Sequence, residues 1–191
     1  MAGHLLQAQP SRWVSRFAPL VPAGQVLDLA CGGGRHTRLF AGLGHPVLAV
    51  DRDPDALGAS AAEGVSLLQL DLESEGAEHH PDWPLRAGAF AGIVVTNYLH
   101  RPLLPALLAS LADNGVLIYE TFADGNGQFG KPSNPDFLLQ PGELLDAVSR
   151  ASGLRVLAYE DGYVTTPAPA MIQRICARRD GLALTPEYLS L

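Results

Sequence analysis

Five short apolar runs, each followed by a polar or amphipathic stretch, constrain this chain more than any single motif. They are residues 25–30 ("QVLDLA"), 46–51 ("PVLAVD"), 65–71 ("VSLLQLD"), 90–98 ("FAGIVVTNY") and 115–122 ("GVLIYETF"). Apolar runs of this length, without strict polar alternation, read as strands buried on both faces. That is the condition of a parallel sheet covered by helices. Helices are expected between them, at residues 34–44 and 101–112. A third begins at Asp53, which caps it, with Pro54 in the first turn and Gly64 as the stop. Residues 72–89 are polar and proline-containing, and no regular helix is expected there.

With right-handed crossovers, this order predicts an α/β fold, an open doubly wound sheet. A helix at 141–152 is followed by two more strands, 154–161 and 170–179, joined by too few residues for a crossover helix. They must pair antiparallel. The expectation is a seven-stranded, mostly parallel sheet with an antiparallel last strand. Residues 1–24 read as an N-terminal segment and 25–191 as a single domain.

Which ligand the fold holds is set by "VLDLACGGGRHTRLF", residues 26–40, where a buried strand runs into three glycines and then a helix. A phosphate loop needs GxxxxGK followed by Ser or Thr, and no lysine follows these glycines. A dinucleotide fingerprint needs GxGxxG, and here Thr37 stands where the third glycine belongs. Asp28 also lies four residues before Gly32, where its carboxylate would repel a pyrophosphate and attract an ammonium group. Asp51 ends the second strand, where a carboxylate accepts hydrogen bonds from ribose hydroxyls. Asp71 ends the third, near where an adenine would lie. A ligand with an amine, a ribose and an adenine, but no phosphate, satisfies all three acids.

These stretches resemble the class I S-adenosylmethionine-dependent methyltransferases. "VLDLACGGG" is similar to their first motif, "VLAVDRD" to the second and "LLQLDLE" to the third. "FAGIVVTNYLHRPLLPALLASLADNGVLIYETF" resembles their fourth-to-fifth strand segment, and the antiparallel seventh strand is also theirs. "CGGGRH" and "NYLHRPLLP" resemble a small bacterial tellurite-resistance-like group. The resemblance implies a methyltransferase that uses S-adenosylmethionine and releases S-adenosylhomocysteine. It implies cofactor contacts from Asp28, Ala30, Gly32, Gly34, Arg35, Asp51, Arg52, Asp71, Leu72 and Asn97. Arg35 is expected at the methionine carboxylate, Arg52 beside the adenine, and Leu72 to offer a backbone N–H or an apolar face.

Methyl acceptors sit after the fourth strand in this family, which makes Tyr98 and His100 the candidate catalytic residues. "NY" echoes the NPPY motif of amino methyltransferases without its prolines, so no amine or base acceptor is inferred. Residues 123–140, "ADGNGQFGKPSNPDFLLQ", leave the sheet at the ligand edge and read as a lid over the acceptor. Phe129, Lys131 and Phe137 are its substrate-facing residues; the competing reading packs both phenylalanines into the core. Arg35 and His36 open a helix, where His36 reads as a surface residue, and Glu120 lies inside the fifth strand.

Net charge is −7, against the basic surface that a nucleic-acid partner requires. Two cysteines, Cys31 and Cys176, make no disulfide framework, and Cys31 reads as a small buried hydrophobe. His79 and His80 have no partner at metal-ligand spacing, so no metal is expected. The first residues lack a secretory pattern and no apolar run approaches a membrane span, so a cytoplasmic protein is expected. With only about two dozen residues ahead of the first strand, a small-molecule acceptor is expected over a folded macromolecule. Two rivals stand: a nicotinamide-dependent oxidoreductase, which Thr37 and Asp28 disfavour, and a cofactor-binding module without catalysis.

Overall fold

The computed structural model describes residues 9–80 and 83–180. Its centre is a seven-stranded sheet built from β1 (Val26–Leu29), β2 (Val47–Asp51), β3 (Val65–Gln69), β4 (Phe90–Thr96), β5 (Leu111–Phe122), β6 (Leu154–Val164) and β7 (Ala170–Arg179). The strand order is β3-β2-β1-β4-β5-β7-β6. The first five strands are parallel to one another, and β7 runs antiparallel to both β5 and β6. The expected fold class is therefore observed, reversed strand included.

Every residue of β1 is buried, as are the first six of β4, because helices cover both faces. Alternate residues feed opposite layers. Leu27, Leu29, Ile93, Val95, Leu117 and Tyr119 enter one cluster, packed with α4 (Leu104–Ala109) and α5 (Glu143–Arg150). Val26, Val94, Val116 and Ile118 enter the other, with α1 (Arg12–Phe17) and Phe40 of α2 (Arg35–Gly42). Each fully buried aromatic or aliphatic side chain contributes roughly 1.5–3 kcal/mol of transfer free energy.

Of the N-terminal segment, residues 1–8 lie outside the described residues, and residues 13–21 belong to this second layer. Ser11 caps α1, its hydroxyl accepting the Trp13 and Val14 N–H groups. Trp13 and Phe17 then pack edge to face at 4.6 Å, and Trp13 Nε1 donates to the Ile175 carbonyl. The Arg174 guanidinium lies over the Trp13 ring at 4.8 Å.

Several boundaries differ from the expectation. β3 stops at Gln69, so Asp71 and Leu72 follow the strand. The expected helix at 101–112 begins as a 3-10 turn, Arg101–Leu103, and becomes α4 only at Leu104, because Pro105 has no N–H to give the Arg101 carbonyl, which takes the Leu104 N–H instead. β5 starts at Leu111, which pairs with Phe90 ahead of a bulge. The Asp53 cap is observed, its Oδ1 accepting the Asp55 and Ala56 N–H groups at the head of α3 (Pro54–Gly58). No helix among the described residues is long and apolar enough to cross a membrane.

Candidate functional site

The strand order reverses at β1, whose neighbours β2 and β4 lead the chain in opposite directions, and ligands enter such sheets at the carboxyl ends flanking that point. Two non-glycine residues there have left-handed backbones: Ala30 just after β1 (φ 53°) and Asn97 just after β4 (φ 56°). Asparagine tolerates this conformation, but alanine is strained in it. The Asn97 N–H is held by the Glu120 carbonyl at 2.9 Å.

Beside them lies a groove of about 100 Å³, lined by Ala30, Val50, Asp51, Arg52, Leu70, Asp71, Leu72, Glu73 and Tyr98. It brings together five of the residues expected at a cofactor, and one of the two catalytic candidates. Asp51 organises it. Its Oδ2 accepts the Gly32 N–H at 2.8 Å and its Oδ1 the Asp53 N–H at 2.9 Å. Gly32 has φ 51°, and a Cβ added to it would meet nothing within 4 Å. The space in front of Gly32 is open.

Gly34 differs from the expectation. A Cβ there would lie 2.7 Å from the Ser60 Cα, and its φ is 71°. The glycine is required by the close approach of the Ser60 segment, not by open space for a ligand. For Asp28, of the direct or indirect contact with a ligand amine that is expected, only the indirect one remains open. Asp28 is 1% exposed, on the same strand face as Val26, and accepts the Thr37 hydroxyl at 2.6 Å. Direct contact with a ligand amine is closed to it; its action must pass through Thr37 and the glycine turn. Burial raises its carboxyl to about 6, against the lowering effects of the Thr37 hydrogen bonds and the Arg35 charge.

His36 is not a surface residue. It is 1% exposed, Nε2 accepts the Ser11 N–H at 3.1 Å, and Nδ1 faces the Thr96 hydroxyl at 3.5 Å. Burial, helped by the Arg35 charge, lowers it to about 3. The helical spacing of 36 and 40, both inward, was the available signal. Arg35 is half-buried; its guanidinium reaches the same Thr96 hydroxyl at 3.5 Å and feels the Glu120 and Asp28 charges. Glu120 pairs with Arg174 at 3.3 Å and accepts the Ser11 hydroxyl at 2.8 Å.

Tyr98 is half-buried in the groove wall, and its carbonyl accepts the Tyr119 hydroxyl at 2.8 Å. Burial, then the neighbouring Glu73 carboxylate, holds its phenol above the ordinary range. His100 is half-buried at the start of the 3-10 turn and does not line the groove. Burial pushes the Cys31 thiol up to about 12, which keeps it inert.

The segment after β5 is ordered by 3-10 turns at Asn126–Gln128 and Pro135–Phe137 and by a bridge between Ala123 and Leu139. Leu138 and Leu139 enter the core, whereas Phe129 and Phe137 are 43% and 47% exposed, which overturns the packing alternative for both phenylalanines. Phe129 meets Tyr163 of β6 at 5.0 Å, and Lys131 is exposed. Arg101 staples this segment. It pairs with Glu143 at 2.6 Å and donates to the Asp136 and Leu138 carbonyls. A larger depression of about 590 Å³ opens beside it, between Pro135–Asp136 and α5, sharing no lining residue with the groove. Among the described residues, no group of three or more His, Cys, Asp or Glu side chains could hold a metal ion.

A methyltransferase domain family matches residues 2–161. Protein-L-isoaspartate O-methyltransferase of Klebsiella pneumoniae is 34% identical over 108 residues, covering 55% of this chain and 50% of that protein. The chain thus spans about half the length of the curated relatives it matches. An S-adenosylmethionine-dependent methyltransferase structure from Listeria monocytogenes, described as putative, shares the fold with a TM-score of 0.64 at 14% identity, over 88% of this chain and 98% of that one. The 1,6-didemethyltoxoflavin-N1-methyltransferase of Burkholderia thailandensis, solved with S-adenosylhomocysteine, aligns with a TM-score of 0.58 at 22% identity, over 94% and 76%. With most of its length inside the family match, and with the sheet order and reversed β7 on the page, this chain belongs to the methyltransferase domain family.

Proposed function

We propose that this protein is an S-adenosylmethionine-dependent methyltransferase acting on a small-molecule acceptor. The observation that carries the reading is the Asp51 carboxylate, which tethers Gly32 while facing a groove walled by Ala30, Asp71, Leu72 and Tyr98. Three carboxylates, Asp51, Asp71 and Glu73, line that groove against one cation, Arg52. Such a wall repels a pyrophosphate and suits a nucleoside that carries none.

The residues present fit this cofactor. Asp51 has lone pairs left for two ribose hydroxyls. Asp71 and the Leu72 backbone flank an adenine, with Arg52 at its exposed edge. Arg35 offers a cation to the amino-acid carboxylate, and Ala30, Gly32 and Asn97 let backbone come close. Gly34 and Asp28 support this arrangement from behind, through Ser60 and Thr37.

S-adenosylmethionine supplies a methyl group already activated on a sulfonium, and S-adenosylhomocysteine is the product. The protein's part is to align the acceptor and exclude water; such alignment supplies on the order of 7–11 kcal/mol. The Tyr98 phenol stays protonated near neutral pH, with the Glu73 carboxylate as its hydrogen-bond partner, so it does not serve as a base and acts as a wall of the acceptor side. His100 is the base candidate if the acceptor must lose a proton. Phe129, Lys131 and Phe137 form the lid face. The "CGGGRH" and "NYLHRPLLP" stretches support placement in the tellurite-resistance-like group.

Calorimetric titration tests the cofactor half. S-adenosylhomocysteine should bind and NADH should not; NADH binding alone would replace this reading with the oxidoreductase. Methyl transfer to any acceptor then separates an enzyme from a binding module.

A further inference from the structure

We propose that His36 is a positioning residue, which sets the direction of the Arg35 guanidinium toward the carboxylate of an amino-acid-bearing ligand. The inference rests on the S-adenosylmethionine reading of the site.

Four elements meet around His36. The Nε2 atom accepts the Ser11 N–H from the head of α1, so the ring's proton resides on Nδ1. That N–H donates to the Thr96 hydroxyl at the end of β4. Arg35, the preceding residue, donates to the same hydroxyl. Thr96 is in register with Glu120 of β5, and Glu120 accepts the Ser11 hydroxyl. Hydrogen bonds thus run from Glu120 through Ser11 and His36 to Thr96, which lies beside Glu120 across the strand pair, and Arg35 is the cation attached at Thr96.

Each partner is used in a way that an apolar substitute would not reproduce. A protonated imidazole would point N–H at the Ser11 N–H, and burial prevents it. An aliphatic residue at 36 would leave the Ser11 N–H without its acceptor. Loss of the Thr96 hydroxyl would release Arg35 to swing toward Asp28 or Glu120, the two carboxylates whose charges already act on it. In each case the guanidinium keeps its charge and loses its direction. Directed, charge-assisted bonds to a carboxylate are the strong ones, and their strength depends on that geometry.

The experiment compares two probes that share a nucleoside. S-adenosylhomocysteine carries the amino-acid group and 5′-methylthioadenosine does not. Thr96→Val, which preserves side-chain shape, and His36→Leu should each weaken S-adenosylhomocysteine by about tenfold, the scale of a charged hydrogen bond. Neither should shift 5′-methylthioadenosine by more than about twofold. His36→Gln, which can accept the Ser11 N–H, should recover most of the loss. Equal weakening of both probes would assign His36 to folding alone and overturn the proposal, as would unchanged S-adenosylhomocysteine affinity in Thr96→Val. A wild-type protein that binds neither probe would overturn the cofactor reading beneath it.

Discussion

The Asp51 carboxylate holds the Gly32 amide at 2.8 Å, so the last residue of β2 fixes the turn that follows β1. The same side chain holds the Asp53 amide at 2.9 Å. A carboxylate offers about four lone-pair sites, and these two bonds leave others for ligand hydroxyls. Asp51 is thus both a tether of the loop and a ligand of what the loop binds.

Removing it should act on both. Asp51→Ala should weaken S-adenosylhomocysteine by at least roughly tenfold, since a hydrogen bond to a charged group contributes about 1.5–3 kcal/mol. Asp51→Asn keeps one acceptor oxygen and should fall between the two. Calorimetry on folded variants checks this, and unchanged affinity in Asp51→Ala would place the ligand elsewhere.

The two glycines with positive φ in the turn should separate experimentally. A Cβ on Gly34 meets the Ser60 backbone, so Gly34→Ala should lower the melting temperature and lose ligand only through unfolding. A Cβ on Gly32 meets nothing but the open groove, and its main cost is left-handed strain of about 1 kcal/mol. Gly32→Ala should stay folded at 25 °C while ligand affinity drops. Calorimetry beside thermal melts distinguishes the pair; the reverse pattern would assign the close backbone approach to Gly34.

Much of this was legible in the residues because burial on both faces leaves unbroken apolar runs, and β1 and β4 are such runs. Asp51 at the end of β2 and Asp71 just after β3 marked the groove for a similar reason, being charges where apolar runs end. What escaped was set by tertiary contact. His36 looked like surface because it neighbours Arg35 and Arg38, yet one turn from Phe40 it faces inward. Ala30 carries no signature of a left-handed backbone, since alanine rarely adopts one. In the segment after β5, the side chains that enter the core are Leu138 and Leu139, whereas composition drew attention to the phenylalanines.

Asp28 and His36 should give the protein two opposing pH dependences. Asp28 titrates near 6 in the folded chain against 3.8 for an ordinary carboxyl, so the folded state binds more protons between those values. Its contribution to stability falls as pH rises from about 4 to 6. His36 titrates near 3 against 6.5, so the unfolded state binds more protons there, and stability rises with pH across that range. The two slopes offset in the wild type. Asp28→Asn should steepen the loss of stability on acidification from pH 6 to 4, and His36→Gln should reverse its sign. Urea denaturation at pH 4, 5 and 6 checks this; parallel profiles for all three proteins would show that neither group titrates as its burial requires.

The last expectation concerns the segment after β5. Arg101 reaches across to it from the loop after β4, ion-paired to Glu143 at 2.6 Å and donating to the Asp136 and Leu138 carbonyls at 2.7 and 2.8 Å. The ion pair holds the Glu143 carboxyl below its usual range. One side chain therefore fixes the base of the segment, while its tip, with Phe129 against Tyr163, stays exposed. If the tip closes over an acceptor, turnover depends on it and cofactor binding does not. Replacing Phe129 and Lys131 with Ala should cut turnover strongly and change S-adenosylhomocysteine affinity by less than about 1 kcal/mol, the scale of one neutral hydrogen bond. Arg101→Met should do the same by freeing the base, and should also expose the segment to chymotryptic cleavage after Phe129. Equal losses of turnover and cofactor affinity would make the segment a wall of the cofactor groove. No loss of either would leave Phe129 and Tyr163 as a surface contact, with the acceptor bound on the other side of Tyr98.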